Sequence, residues 1–247
     1  MPFPEPERIR AILLDIEGTT TPVAFVYEVL FPYAARNLDR FIRQHFHDAE
    51  IRPRLDELKE QRIAGEIADL PAWHEHAEEA QIDSLVAYAQ WLVKRDSKVT
   101  ALKTIQGRIW EEGYARGELR GRVYPDVPPA LRRWRQQGKR VYIYSSGSEL
   151  AQKLLFRSTD YGDLTTLLQG FFDTSIGPKS DSRSYVEIAS RISSPPQQVL
   201  FVSDSSKELE EAQFAGMWSA LAIRSIDSSP RSTSFMTIHS FDEIFPG

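Results

Sequence analysis

The sequence predicts an α/β protein: a doubly wound, Rossmann-like core with a parallel sheet, into which an all-helical cap domain is inserted. The first observation is that short apolar or β-branched runs alternate with helical stretches in most of the chain. These runs are "RAILLDI" (10–16), "KRVYIYSS" (139–146), "QQVLFVSD" (197–204) and "SALAIRS" (219–225). Strands that alternate with helices form parallel sheets covered on both faces. The second observation is that residues 23–120 carry apolar side chains at spacings of three and four, which is typical of helices.

The position of the helical block predicts the domain organisation. It separates the first predicted strand from the others, so residues 1–20 and 121–247 are expected to form the α/β core and residues 21–120 the cap domain. The prolines of "RGRVYPDVPP" (120–129) mark the return of the chain to the core, just before a predicted helix.

Composition excludes several classes of protein. The 247 residues include no cysteine, so a disulfide framework, a thiolate nucleophile and a cysteine-ligated zinc site are impossible. The chain has neither a long uncharged apolar run nor a secretory signal pattern, and we expect a cytoplasmic protein without a membrane partner. A net charge of −5 offers no general attraction to nucleic acid.

Polar side chains stand where the predicted strands end. Asp15 and Glu17 follow the first strand, Ser145 and Ser146 the second, and Asp204 the third. In a doubly wound sheet, ligands bind in the crevice beyond the carboxyl ends of the strands, so these residues should converge. Hard oxygen ligands of this type suit Mg²⁺. The pattern therefore predicts a magnesium site that includes Asp15 and Asp204.

The first strand end also suggests catalysis. With a metal in place, Asp15 could attack phosphorus through its free oxygen, a known route for phosphoryl transfer. Glu17 projects to the same side as Asp15 if the strand conformation continues, which suits an acid–base partner. Gly18 would let the backbone approach a phosphate closely.

Three further residues are candidates for holding that phosphate. Ser146 and Glu149 have the spacing of a capping box, which would place a helix N-terminus beside the second strand end. Because Ser146 could serve as the cap alone, Ser145 is favoured as the side-chain phosphate donor. Lys179, on a Gly-Pro turn, would supply the cation that balances carboxylates and phosphate.

This ordered set of residues resembles the four motifs of the haloacid dehalogenase superfamily of aspartate-nucleophile phosphatases. The set is Asp15-x-Glu17-Gly18-Thr19, a strand-terminal Ser145, Lys179, and Asp204 with Glu208 four residues further on. The helical insertion after the first motif is similar to that superfamily's cap domain.

Longer stretches resemble one family within it, the enolase-phosphatases or acireductone synthases of methionine salvage. They are "ILLDIEGTTTPVAFVYEVLFPYA", "TALKTIQGRIW", "VYIYSSGSELAQKLLF" and "FDTSIGPKSDSRSY". The resemblance implies a soluble, monomeric hydrolase with one Mg²⁺ per subunit. It also implies enolisation of 2,3-diketo-5-methylthiopentyl-1-phosphate, followed by dephosphorylation to the acireductone 1,2-dihydroxy-3-keto-5-methylthiopentene.

The resemblance also assigns roles to individual residues. It implies Asp15, Glu17 and Asp204 as metal ligands, Asp15, Glu17 and Lys179 as catalytic groups, and Ser145, Ser146 and Lys179 as contacts to the substrate phosphate. Asp181 stands where the family more often has glutamate. The alternatives are a generic Mg²⁺-dependent phosphatase of sugars or small metabolites, a metal-free dehalogenase, and a non-catalytic binding protein.

Overall fold

The computed structural model describes residues 4–64, 69–95, 97, 99–224 and 235–246, and its centre is a parallel six-stranded sheet with the strand order β3-β2-β1-β4-β5-β6. The strands are β1 (Ala11–Leu14), β2 (Arg140–Tyr144), β3 (Gly170–Phe172), β4 (Val199–Ser203), β5 (Trp218–Ala222) and β6 (Met236–Ile238). This confirms the predicted doubly wound sheet. The sequence did not predict β3 and β6, because runs of three residues are too short to show a periodicity.

Helices fill the connections between strands. They are α1 (Val23–Phe25), α2 (Phe31–His45), α3 (Arg52–Ala64), α4 (Glu78–Lys94), α5 (Thr100–Ala115), α6 (Val127–Gln136), α7 (Glu149–Arg157), α8 (Ser182–Arg191) and α9 (Ser206–Phe214). A π-helix, Val26–Leu30, runs directly into α2. Short 3₁₀ helices lie at Pro6–Arg8, Thr165–Leu167, Pro196–Gln198 and Phe241–Glu243. In the described ranges, no helix is both long enough and apolar enough to cross a bilayer.

The chain divides into two compact units. One consists of Met1–Val26 with Arg120–Gly247 and contains the sheet; the other is Tyr27–Leu119 and contains α2 to α5. The helical unit has its own apolar centre, in which Leu38, Leu55 and Ile105 are fully buried. Each lies on a different helix, α2, α3 or α5, in one of the stretches whose apolar residues at spacings of three and four predicted an all-helical block.

The register of the sheet determines where the polar strand ends meet. Strand β1 lies between β2 and β4, and Leu14 pairs with Ile143 on one side and Val202 on the other. The backbone N–H of Asp15 donates to the carbonyl of Val202 at 3.0 Å, which continues the ladder by one residue. Because the winding reverses between β1 and β4, Asp15 stands at the point where doubly wound proteins bind ligands.

Candidate active site

Asp15 begins a tight, buried turn, residues 15–21, which we call the catalytic turn. The carbonyl of Ile16 accepts the backbone N–H groups of Thr19, Thr20 and Thr21 at 3.2, 3.0 and 2.9 Å. The hydroxyl of Thr20 donates to the Asp15 carbonyl at 3.0 Å. All three threonine side chains are fully buried, so the turn is packed into the core and Asp15 leaves the sheet in a defined direction.

Gly18 brings the catalytic turn against Asp204. Its φ is +66°, which is in the left-handed region that favours glycine. A Cβ at this position would lie 2.1 Å from Oδ2 of Asp204, far inside van der Waals contact. Glycine is therefore required by both its backbone and its carboxylate neighbour, which is a different reason from the phosphate approach that the sequence suggested.

Lys179 is buried, which is unusual for a lysine on a turn, and it is paired with two carboxylates. Lys179 is only 8% exposed. Its Nζ donates to Asp15 Oδ1 at 2.5 Å and lies 2.6 Å from Glu208 Oε2. The predicted cation therefore contacts the predicted nucleophile directly, across 164 positions of sequence.

The loop that presents Lys179 is held by hydroxyl groups at successive backbone carbonyls. These hydrogen bonds run from Tyr144 to Gly177 (2.9 Å), from Ser184 to Pro178 (2.8 Å) and from Tyr185 to Lys179 (2.9 Å). Gly177 has a φ of +140°, and a Cβ there would lie 2.2 Å from the Ser184 hydroxyl. The position of the ammonium group is thus determined by the backbone behind it as well as by its carboxylate partners.

Asp181 closes this loop, and the structure gives it a local role. It is the N-cap of α8: its carboxylate accepts the backbone N–H of Arg183 at 2.9 Å and pairs with the Arg183 guanidinium. A shorter side chain than glutamate suits this function, since N-caps are preferentially Ser, Thr, Asp or Asn.

Ser203 and Glu208 complete a ring of contacts around Asp15, the predicted nucleophile. The Ser203 hydroxyl is fully buried, donates to Glu208 Oε2 at 2.9 Å and lies 3.3 Å from Asp15 Oδ2. The sequence motif includes Glu208 but assigns it no role, and it does not include Ser203. The available signal was the serine that ends the otherwise apolar run "VLFVS" at the carboxyl end of β4.

The structure at the end of β2 shows that the predicted capping box at Ser146 is wrong. The N-cap of α7 is Ser148, whose side chain accepts the Ala151 backbone N–H at 3.3 Å, so Ser146 does not begin a capping box. The helix starts at Glu149, which makes Ser148 the residue whose oxygen can reach the N–H three positions on. Ser146 is exposed and its side chain does not cap α7, whereas Ser145 is buried, with 1% of its surface exposed.

A glutamine that the sequence reasoning missed fixes the loop of Ser145 and Ser146. The buried side-chain amide of Gln152 donates to the Gly147 carbonyl at 2.7 Å and to the Phe172 carbonyl at 2.9 Å. Phe172 O also accepts the backbone N–H of Ser145 at 3.2 Å. Gln152 therefore ties this loop to the end of β3.

The site holds more negative than positive charge. Burial, followed by the charge of Asp15, raises the pKa of Glu17 to about 7. Burial and then Asp15 raise the pKa of Asp204 to about 6, and the same two causes raise the pKa of Glu208 above its ordinary value. Burial acts to lower the pKa of Lys179, but the carboxylates of Asp15 and Glu208 outweigh it and raise that pKa. Four carboxyl groups thus share one ammonium group.

This charge excess fits a hard divalent cation. The carboxylate oxygens of the site are the type of ligand that Mg²⁺ prefers, and a cation would offset the burial and the repulsion from Asp15 that raise the pKa of Glu17 and Asp204. In the part of the chain that the structure describes, no three acidic or histidine side chains already surround one point. Among the described residues, the three predicted ligands Asp15, Glu17 and Asp204 are therefore not preassembled around one metal position.

Comparison with known proteins identifies similar chains over nearly the full length. A family model for haloacid dehalogenase-like hydrolases matches residues 9–216. Enolase-phosphatase E1 of Synechococcus elongatus is 46% identical over 242 residues, which cover 98% of this chain and 100% of the relative. Enolase-phosphatase E1 of Cronobacter sakazakii is 46% identical over 238 residues, or 96% of this chain and 97% of the relative. The crystal structure of the UTR4 protein of Saccharomyces cerevisiae has a TM-score of 0.76 at 31% identity, and covers 96% of this chain and 100% of that one.

Proposed function

Because the chain belongs to the haloacid dehalogenase-like hydrolases, and within them to the enolase-phosphatases, we propose that it catalyses both steps of acireductone synthesis in methionine salvage. It enolises 2,3-diketo-5-methylthiopentyl-1-phosphate and then removes the phosphate. We propose that it does so as a cytoplasmic monomer with one Mg²⁺ per chain, and that Asp15, Glu17 and Asp204 hold the metal. The observation that carries the proposal is the buried contact between Asp15 and Lys179, beside the acidic residues Glu17 and Asp204.

The first step needs a base near C1 of the substrate, and Glu17 is suited to it. Without metal, burial and the charge of Asp15 raise the pKa of Glu17 to about 7, so its carboxylate is a stronger base than that of an ordinary glutamate. Bound Mg²⁺ would lower this pKa and keep Glu17 in the ionised form that a base needs. When bound, Mg²⁺ would polarise the substrate oxygens and stabilise the negative charge that develops on them. Glu17 takes the C1 proton and delivers it to the C2 oxygen, which completes the enol. It then takes up a proton from solvent and becomes an acid for the second step.

In the second step, an Asp15 oxygen attacks phosphorus and the bond between phosphorus and the C1 oxygen breaks. The leaving enol oxygen receives a proton, for which protonated Glu17 is the available acid. Lys179 neutralises charge on the transferring phosphoryl group, while Ser145 and Ser146 bind its oxygens. Water then hydrolyses the aspartyl-phosphate and restores Asp15.

A direct assay tests the proposed function. The purified protein is given the diketo phosphate with Mg²⁺, and enol absorbance is followed together with phosphate release. We expect both signals, and loss of both with EDTA. Absence of both signals with Mg²⁺ would contradict the proposed substrate. Equal phosphate release from an ordinary sugar phosphate, without enol formation, would instead indicate a generic phosphatase.

Metal binding should release protons in a pH-dependent way. At about pH 6, Glu17 and much of Asp204 carry a proton, and coordination requires the ionised form, so we expect about one proton released per Mg²⁺. At about pH 8.5 both groups are already ionised and little release remains. Titration calorimetry in buffers of different ionisation enthalpy measures this number.

Asp204→Asn provides the comparison for that titration. It should weaken Mg²⁺ binding by about tenfold or more, because the amide keeps the size of the side chain but is a poor ligand. Affinity equal to that of the wild type would contradict the assignment of Asp204 to the metal.

Replacing Gln152 should weaken phosphate binding without removing catalytic chemistry. Gln152→Leu keeps a similar volume and loses the hydrogen bonds to the Gly147 and Phe172 carbonyls, which tie the Ser145–Gly147 loop to the end of β3. At about 1 kcal/mol for each of the two lost bonds, KM should rise by up to about 30-fold, with a smaller change in kcat. Gln137→Leu is the control, since Gln137 donates to the Phe245 carbonyl, away from the site. An unchanged KM for Gln152→Leu would exclude this positioning role.

A further inference from the structure

Arg224 lies two residues beyond β5, and its side chain reaches the catalytic turn. The side chain is 6% exposed, and its Nε donates to the Thr19 carbonyl at 2.9 Å. Its Nη1 donates to Asp126 Oδ2 at 2.6 Å. Asp126 is the N-cap residue of α6, so the arginine joins the catalytic turn to the start of that helix.

The guanidinium group of Arg224 is held in one orientation. It lies 4.4 Å from the ring centroid of Phe241 and 4.6 Å from that of Tyr124. Asp126 is itself fixed, because its Oδ2 accepts the Phe241 backbone N–H at 2.6 Å. A planar group held by a carboxylate and two rings can donate in only a few directions, and one of these is used by Thr19.

The catalytic turn has a second external tether next to the first. The backbone N–H of Tyr124 donates to the Thr20 carbonyl at 3.0 Å. Two successive carbonyls of the turn are therefore held from outside it: that of Thr19 by Arg224, after β5, and that of Thr20 by the backbone of Tyr124, just before α6. Inside the turn, all the hydrogen bonds are local: three backbone N–H groups share the Ile16 carbonyl, the Gly18 N–H donates to the Thr21 carbonyl at 2.9 Å, and the Thr20 hydroxyl donates to the Asp15 carbonyl.

We propose that Arg224, held by Asp126, is a positioning residue that fixes the backbone of the catalytic turn and so the placement of Asp15 and Glu17. The expected effect of Arg224 on the reaction rate rests on the proposed function, whereas its effect on the backbone of the catalytic turn does not. Displacement of reacting groups by about 1 Å can cost about 10²-fold in rate, and loss of a supporting contact typically costs about 10–100-fold. Arg224→Met should therefore lower kcat by about 10–100-fold with a smaller change in KM.

Arg133→Met is the matched control. Arg133 also anchors the C-terminal segment, since its Nε and Nη2 donate to the carbonyls of Phe245 and Phe241 at 3.2 and 2.7 Å. It makes no hydrogen bond to the catalytic turn that the structure records among the described residues. If Arg224 only held the C-terminal segment in place, the two variants should behave alike.

The experiment measures kcat, KM and amide hydrogen exchange of a peptide spanning residues 15–22 in the wild type and both variants. We expect Arg224→Met to lower kcat and to speed exchange in that peptide, where the N–H groups of Thr19 to Thr21 are bonded to Ile16. Arg133→Met should leave both unchanged. Equal effects in the two variants, or wild-type exchange in Arg224→Met, would overturn the proposal.

Two further results keep the test decisive. If Arg224→Met does not fold, Asp126→Asn retains the size of the Arg224 partner while weakening the ion pair, and it should show the same two changes to a smaller degree; wild-type kcat and exchange in Asp126→Asn would overturn the proposal. If the wild type does not act on the diketo phosphate, the proposed function fails, and the exchange contrast between Arg224→Met and Arg133→Met still decides the positioning role.

Discussion

We expect Asp15→Asn to lower the rate of phosphate release by about 10⁴-fold or more and to leave the fold intact. An amide cannot attack phosphorus, and its nitrogen cannot accept a hydrogen bond from Lys179 Nζ as Asp15 Oδ1 does. The fold should persist because Lys179 keeps its contact with Glu208 Oε2 at 2.6 Å. Phosphate release and thermal unfolding measure the two parts of this expectation.

Asp181→Asn is the matched control for Asp15→Asn. It makes the same chemical change at the N-cap of α8, outside the ring of contacts around the nucleophile, and asparagine is also a good N-cap. Turnover should stay close to that of the wild type. Turnover near the wild-type rate in Asp15→Asn itself would show that another group attacks phosphorus.

Glu17→Gln should separate the two steps of the reaction. The substitution keeps size and hydrogen bonding but removes basicity, so enol formation should fall by about 10²–10⁴-fold. The wild-type rate of enol formation should rise with pH as Glu17 ionises, because the base must be unprotonated, and metal binding lowers its pKa from the metal-free value of about 7. In Glu17→Gln that rise should disappear.

Enol formation at saturating Mg²⁺ distinguishes the roles of Glu17. If it is the base, added metal does not restore the lost rate. If it is a metal ligand alone, enol formation and Mg²⁺ affinity fall together, and excess Mg²⁺ restores the rate. Full restoration would therefore defeat the assignment of Glu17 as the base while leaving it as a ligand.

The sequence was sufficient to predict a doubly wound parallel sheet, four of its six strands and the strand-end positions of the candidate residues. Asp15, Ser145 and Asp204 each end an apolar run, and the carboxyl ends of parallel strands meet at one edge. These inferences needed only local periodicity and the geometry common to doubly wound sheets. The wrong assignment of the α7 cap to Ser146 shows the limit of local patterns, because Ser148 satisfies the same residue preference and only backbone geometry distinguishes them.

Only the tertiary structure decided which groups touch. The sequence predicted Lys179 as the cation of the site but did not show which carboxylate it contacts; three hydroxyl groups hold its loop and place its Nζ against Asp15. Likewise, nothing in the neighbourhood of Arg224 in sequence indicates that it reaches the Thr19 carbonyl, 205 positions away. Sequence patterns report each residue's own strand, helix or turn, whereas contacts between distant segments depend on strand register, loop path and side-chain packing, which are determined when the whole chain folds.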